Sequence, residues 1–151
     1  MRGCQALKVL TVLTVLSVSS APLLAAQSLF AGTWKMNTAK SKSATDTTPK
    51  EMTLTYERVG DQWKQIGVGT DHAGNSINQN YLIPWDGKDH PVDEPGMTIA
   101  VTKVDTYTQN VTVKQNGEVI DSGQMFISKD GKTMTLSQDD DANTVEVFEK
   151  R

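Results

Sequence analysis

Two histidines stand close to aspartates, His72 in Asp71-His72-Ala73-Gly74-Asn75 and His90 in Asp86-Gly87-Lys88-Asp89-His90-Pro91. An imidazole beside a carboxylate can act as an oriented base or as part of a metal site. Both segments are also rich in Gly, Asn and Asp, which build turns by bonding their own backbone. A divalent metal needs several converging ligands and neither segment supplies a third, so turn chemistry is the better account. Asp139, Asp141 and Asn143 alternate like the opening of a calcium loop, yet its sixth position is Thr144 and its twelfth is Lys150. Glycine and glutamate are needed there, so a solvated hairpin loop fits better. Asn110-Val111-Thr112 has the form of a glycosylation sequon but falls in the middle of an extended segment. No serine-nucleophile motif is visible. The residues therefore assign no catalytic group, no metal and no cofactor, and the expectation is that the chain is not an enzyme.

The polar residues that remain of interest are Gln109, Ser122 and Gln124, because of the elements that must carry them. From Glu51 onward the chain is a series of short segments rich in Val, Ile, Thr and Tyr, broken every eight to twelve residues or so by Gly, Asn and Asp. The segments that read as strands are Thr33 to Met36, Met52 to Val59, Trp63 to Thr70, Ile77 to Trp85, Met97 to Val104, Tyr107 to Gln115, Glu118 to Ser128, Thr133 to Gln138 and Thr144 to Glu149. Tight turns at Gly60-Asp61, Asp86-Gly87, Asn116-Gly117 and Asp130-Gly131 make consecutive strands antiparallel neighbours. Asn37 to Lys50 reads as a long polar connector, and Pro91 to Gly96 as an irregular loop kept out of strand by its prolines.

A type I′ turn at Asn116-Gly117 pairs Val113 with Ile120, Val111 with Ser122, Gln109 with Gln124 and Tyr107 with Phe126. A type I turn over Ser128-Lys129-Asp130-Gly131 then sets Phe126 opposite Met134 and Gln124 opposite Leu136. On this register Phe126, Met134, Leu136, Val113 and Ile120 share one buried wall. Gln109, Ser122 and Gln124 lie on that wall too, either as hydrogen-bonded core groups or as the few polar contacts of an apolar pocket.

The beginning of the chain belongs to a different process. Arg2 and Lys8 precede the apolar run Val9 to Val18 and the small residues Ala21 to Ala26, the layout of a secretory signal peptide. Residues 1–26 are expected to be removed and residues 27–151 to form one domain. The run is too short to span a bilayer, so no stable membrane insertion is expected after cleavage. The one cysteine, Cys4, leaves with the leader, which excludes disulfides and thiolate metal sites. Losing Arg2 and Lys8 leaves 13 Lys and Arg against 18 Asp and Glu and moves the formal charge from −3 to −5. Nucleic acid is then a poor partner, because its binding rests on clustered cations. The expected location is secreted or periplasmic.

Phe30-Ala31-Gly32-Thr33-Trp34-Lys35-Met36 contains Gly-x-Trp at the start of the first strand, and Val147-Phe148-Glu149-Lys150 closes the chain on another. This resembles the lipocalins and fatty-acid-binding proteins, the calycin group. The longer pattern, with Trp85-Asp86-Gly87-Lys88-Asp89-His90-Pro91-Val92 and Ser128-Lys129-Asp130-Gly131-Lys132, is similar to small secreted bacterial lipocalin-like proteins. The resemblance implies an all-β fold, an antiparallel up-and-down β-barrel of about 8–10 strands, with Trp34 plugging one end. Physical reasoning agrees, since strands without covering helices hide their edges best by closing on themselves. Two departures stand out. The connector replaces the helix pair of fatty-acid-binding proteins, and their carboxylate-anchoring Arg-x-Tyr is matched here by Glu146 and Phe148.

Together these readings suggest a non-catalytic barrel that binds a small, largely apolar ligand through Trp34, Tyr107, Gln109, Ser122, Gln124 and Phe126. With no charge expected on that wall, neutral or weakly polar molecules should be preferred over fatty-acid anions. The alternative is a structural or protein-interaction barrel with a filled interior. A continuous lumen of roughly 300 Å³ or more separates the two.

Overall fold

The structure is a computed structural model, and it describes residues 28–43, 48–140 and 143–151. The expected leader, residues 1–26, lies outside them, as do residues 44–47 of the connector and Asp141 of the acidic run. Ten strands form one sheet: β1 (Gly32–Met36), β2 (Glu51–Val59), β3 (Gln62–Thr70), β4 (Ser76–Pro84), β5 (His90–Pro91), β6 (Met97–Lys103), β7 (Thr108–Gln115), β8 (Glu118–Ile127), β9 (Thr133–Gln138) and β10 (Val145–Lys150). Every consecutive pair except β4 and β5 is joined antiparallel, and β1 pairs with β10, so the meander curls into a nearly closed up-and-down barrel. The β1–β10 ladder, Trp34 with Lys150 and Met36 with Phe148, is the expected junction of the chain's first and last strands. The two sheet edges, β4 and β5–β6, face each other across the remaining gap, where the Gly87 amide donates to the Val101 carbonyl (3.0 Å).

Alternation explains most of the inner wall. On β2, Met52, Leu54 and Tyr56 are buried while Glu57 stands outside. At Asn116 and Gly117 both φ angles are positive, 52° and 86°, as a two-residue type I′ turn requires. The connector after β1 is less detached than its composition suggests. The Asn37 amide donates to the Val147 carbonyl (2.7 Å), and Lys42 and Val145 exchange backbone bonds, so its first part continues the β1 edge along β10. The irregular loop likewise begins with a short strand, β5, laid against Thr98 and Ile99.

The β7–β8 hairpin departs from simple alternation. Lys114 pairs with Val119, but Val113 pairs with Asp121, so Ile120 is an extra residue at a β-bulge. The register beyond it is Val111 with Gly123, Gln109 with Met125 and Thr108 with Phe126. This corrects the expected pairing of Val113 with Ile120, Val111 with Ser122, Gln109 with Gln124 and Tyr107 with Phe126. The bulge inverts the parity of β8. Met125 and Ile127 become buried, whereas Ile120 and Phe126 are 55% and 45% exposed. Burying two apolar side chains and leaving the Gln124 amide outside avoids desolvating a polar group. Gly123 also becomes obligatory, since a Cβ there would stand 2.0 Å from the Ser137 carbonyl oxygen.

The β8–β9 turn is displaced by one residue in its own right. The Gly131 amide donates to the Ser128 carbonyl (2.8 Å) with Gly131 at φ 70°, as expected, but Ile127 pairs with Met134 and the Ser128 amide donates to the Thr133 carbonyl (2.9 Å), which leaves Lys129 to Lys132 as the loop. Phe126 therefore faces Thr135, and Met125, not Gln124, faces Leu136. The two displacements compensate. Met134 is fully buried and Leu136 packs against the core, as expected, although Phe126 and Ile120 have left that wall.

Aromatic packing closes one end. Trp34 is fully buried and its indole N–H donates to the Phe30 carbonyl (2.9 Å). Trp85 stacks on Trp63 at 4.3 Å and meets Phe30 and Tyr56 edge-on at 5.6 and 5.9 Å. Such pairs add about 0.5–1.5 kcal/mol beyond their buried area.

The observed register predicts unequal costs on β8 and β9. Met134→Ala should lose about 2–5 kcal/mol in urea unfolding, while Phe126→Thr should cost less than about 1 kcal/mol, as for a surface position. Comparable losses at the two sites would restore the register without a bulge.

Candidate functional site

Above the aromatic plug the barrel is hollow. A cavity of about 440 Å³ is bordered by Met52, Leu54 and Tyr56 of β2, Ile77 and Tyr81 of β4, Met97, Ile99 and Val101 of β6, Val111 and Val113 of β7, and Leu136 and Phe148 opposite them. Exposed residues of its border, Glu94, Ile120 and Asp121, mark where it meets solvent. Gly67, buried on β3, helps keep it open: a Cβ there would crowd Gln79 Oε1 at 2.7 Å and Met52 Cε at 2.9 Å.

The six residues expected to bind ligand are distributed differently from the expectation. Ser122 and Gln124 border the cavity, but the Gln124 amide is on the outer face, donating to Asn110 Oδ1 (3.1 Å). Gln109 points inward and is only 3% exposed, yet it lies outside the cavity border and its Oε1 has no hydrogen-bond partner among the described residues. The expected face-to-face pair of Gln109 and Gln124 does not form, because the bulge at Ile120 places them on opposite faces. Phe126 is turned outward for the same reason. Tyr107 precedes β7, its amide donating to Asp105 Oδ1 (2.7 Å), and does not border the cavity. Trp34 fills the plug below it.

His72 stays in a turn, as expected, whereas His90 opens the short strand β5 opposite Ile99. Both Asp71 carboxylate oxygens accept from Asn75, from its backbone and from its side chain, while His72 is exposed. His90 Nε2 meets Asp86 Oδ1 at 2.8 Å, and neither histidine borders the cavity. No group of three or more His, Asp or Glu suited to a metal occurs among the described residues.

Alternation on β10 brings in what the uncharged-wall expectation missed. Glu146 shares the parity of Phe148 and borders the cavity, and Asp121 reaches the same cavity because the bulge turned it inward. Burial, followed by the charge of Asp121, raises the Glu146 pKa above its ordinary value. Burial, followed by Asp140 beyond β9, raises that of Asp121. Burial and then Glu146 push the Tyr56 phenol upward, and its hydroxyl donates to Met125 Sδ (3.4 Å). Among the described residues, no Lys, Arg or His borders the cavity. The expectation of a wall without charge is thus corrected to one that carries carboxylates.

A carboxyl whose folded pKa is raised favours folding in its neutral form. That contribution is complete below the ordinary range near about 4 and is lost as pH rises through the folded pKa. Glu146→Gln should therefore resist urea better than the native chain at pH 7.5, with the difference closing by pH 4. Equal stability at pH 7.5 would mean that the charge is compensated inside the barrel.

No protein-family model matches the chain, and no curated protein matches it in sequence. Solved structures do share its fold. A substituted variant of the fluorescent protein UnaG aligns over 82% of this chain and 96% of its own at 16% identity, with a TM-score of 0.56. A Schistosoma mansoni fatty acid binding protein in complex with arachidonic acid aligns over 82% and 97% at 14% identity, also with a TM-score of 0.56. At such identities the likeness is one of fold, and the fold is that of a ten-stranded, nearly closed antiparallel up-and-down barrel.

Proposed function

We propose that this chain is an exported lipocalin-like protein that holds a small, largely apolar molecule in its barrel lumen and performs no chemistry on it. The observation that carries this reading is the cavity of about 440 Å³, walled mainly by Met, Leu, Ile, Val and Tyr side chains. Its volume falls within the range of small-molecule sites, about 300–1,000 Å³. A filled interior, the competing expectation, describes only the plugged end. The fatty acid binding protein of the same fold, seen with arachidonic acid, supports use of such a lumen for an apolar guest. Export, to the periplasm or beyond the cell, is supported by the leader-like residues 1–26 and leaves residues 27–151 as the working domain.

Titration with the uncharged dye Nile red, followed by tryptophan quenching, tests the proposal. The expected result is saturable binding at one site, weakened at least tenfold by Ile77→Trp, which puts an indole into the cavity from the β4 edge. A native barrel that binds no dye, or a filled variant that binds it equally well, would remove the lumen from the account.

A further inference from the structure

The walls of the lumen are apolar, but its charge is of one sign. Glu146 projects from β10 and Asp121 from β8 into the same cavity, with Glu94 at its border, and among the described residues no Lys, Arg or His accompanies them. Glu146 is half-buried, and neither influence on its ionisation, burial and the neighbouring Asp121, favours the charge. Removing a carboxylate from water without a partner is costly, and the cost falls when an opposite charge comes within about 4–6 Å. A guest with an acidic headgroup would add a further negative charge to the enclosure. One with a protonated amine would supply the missing partner and leave its apolar body to Leu54, Ile99 and Leu136. Tyr56 and Tyr81 also border the cavity, and aromatic faces attract cations further.

We infer that the lumen selects apolar molecules bearing a protonated amine, with Glu146 and Asp121 as the anionic contacts for the ammonium group. This rests on the lumen being a binding site and goes beyond it by assigning the charge of the guest. It also reverses the headgroup preference expected of a barrel that binds fatty acids.

The test is displacement of Nile red from the full-length processed protein by decylamine, decanol and decanoate. The three share one chain length and differ in headgroup charge at pH 7. Decylamine is expected to bind at least about tenfold more tightly than decanol, equivalent to about 1.4 kcal/mol, and decanoate more weakly than either. Glu146→Gln should bring the amine-to-alcohol ratio within about threefold, and Asp121→Asn should reduce it in the same direction. Glu57→Gln removes one negative charge from the outer face and should leave the ratio unchanged, which separates a lumen effect from the general acidity of the protein. Decanol or decanoate binding as tightly as decylamine would overturn the charge assignment while leaving the lumen as a site. An amine preference reduced equally by Glu57→Gln would overturn it as well, by placing the attraction at the surface. Displacement by none of the three would overturn the binding reading and this inference together.

Discussion

The backbone ladder between β1 and β10 turns a ten-stranded meander into an enclosure. Without it, Trp34 and Met36 would line one open edge and Phe148 another, and the apolar wall between them would face water. With it, Trp34 and Phe148 are both fully buried in one core, and Phe30, Tyr56, Trp63 and Trp85 converge beneath a common lumen. The plug and the cavity share that origin. Aromatic side chains consume the space at one end, and smaller residues such as Gly67, Val111 and Gly123 leave it open at the other.

Much of this was readable from residue types. Period-two alternation and Gly or Asn turns located nine strands to within a residue or two, and the Gly-x-Trp start with a strand-like end indicated closure. What escaped was parity. A bulge adds one residue without any distinctive composition, since Val119-Ile120-Asp121 reads as ordinary strand, and its effect reverses every later side chain until another irregularity intervenes. The longer turn after Ser128 is such an irregularity, which is why Met134 and Leu136 kept their places while Gln124 and Phe126 did not. Gly123 was the available signal: an interior strand glycine often marks a bulge or a close backbone approach, and here it lies against the Ser137 carbonyl.

Glu146 illustrates a different limit. Its alternation with Thr144 and Phe148 makes it inward-facing, and the resemblance to fatty-acid-binding proteins aligned it with a cation that anchors carboxylates. Its significance depended on which groups surround it, and that depends on strands remote in sequence. Only in the assembled barrel does Asp121 reach the same cavity, and only there does the lack of a neighbouring cation among the described residues become a property of the lumen. The same fold can thus offer an apolar interior while reversing the sign of the headgroup it favours.

The central claim, that the hollow end of the barrel is where a guest resides, is tested most directly by methyl-resolved NMR during titration with decanol. The account predicts saturable shifts concentrated on Leu54, Ile77, Ile99 and Leu136, which border the cavity. Shifts confined to the exposed methyls of Val59, Val68, Leu82 and Val119 would contradict it.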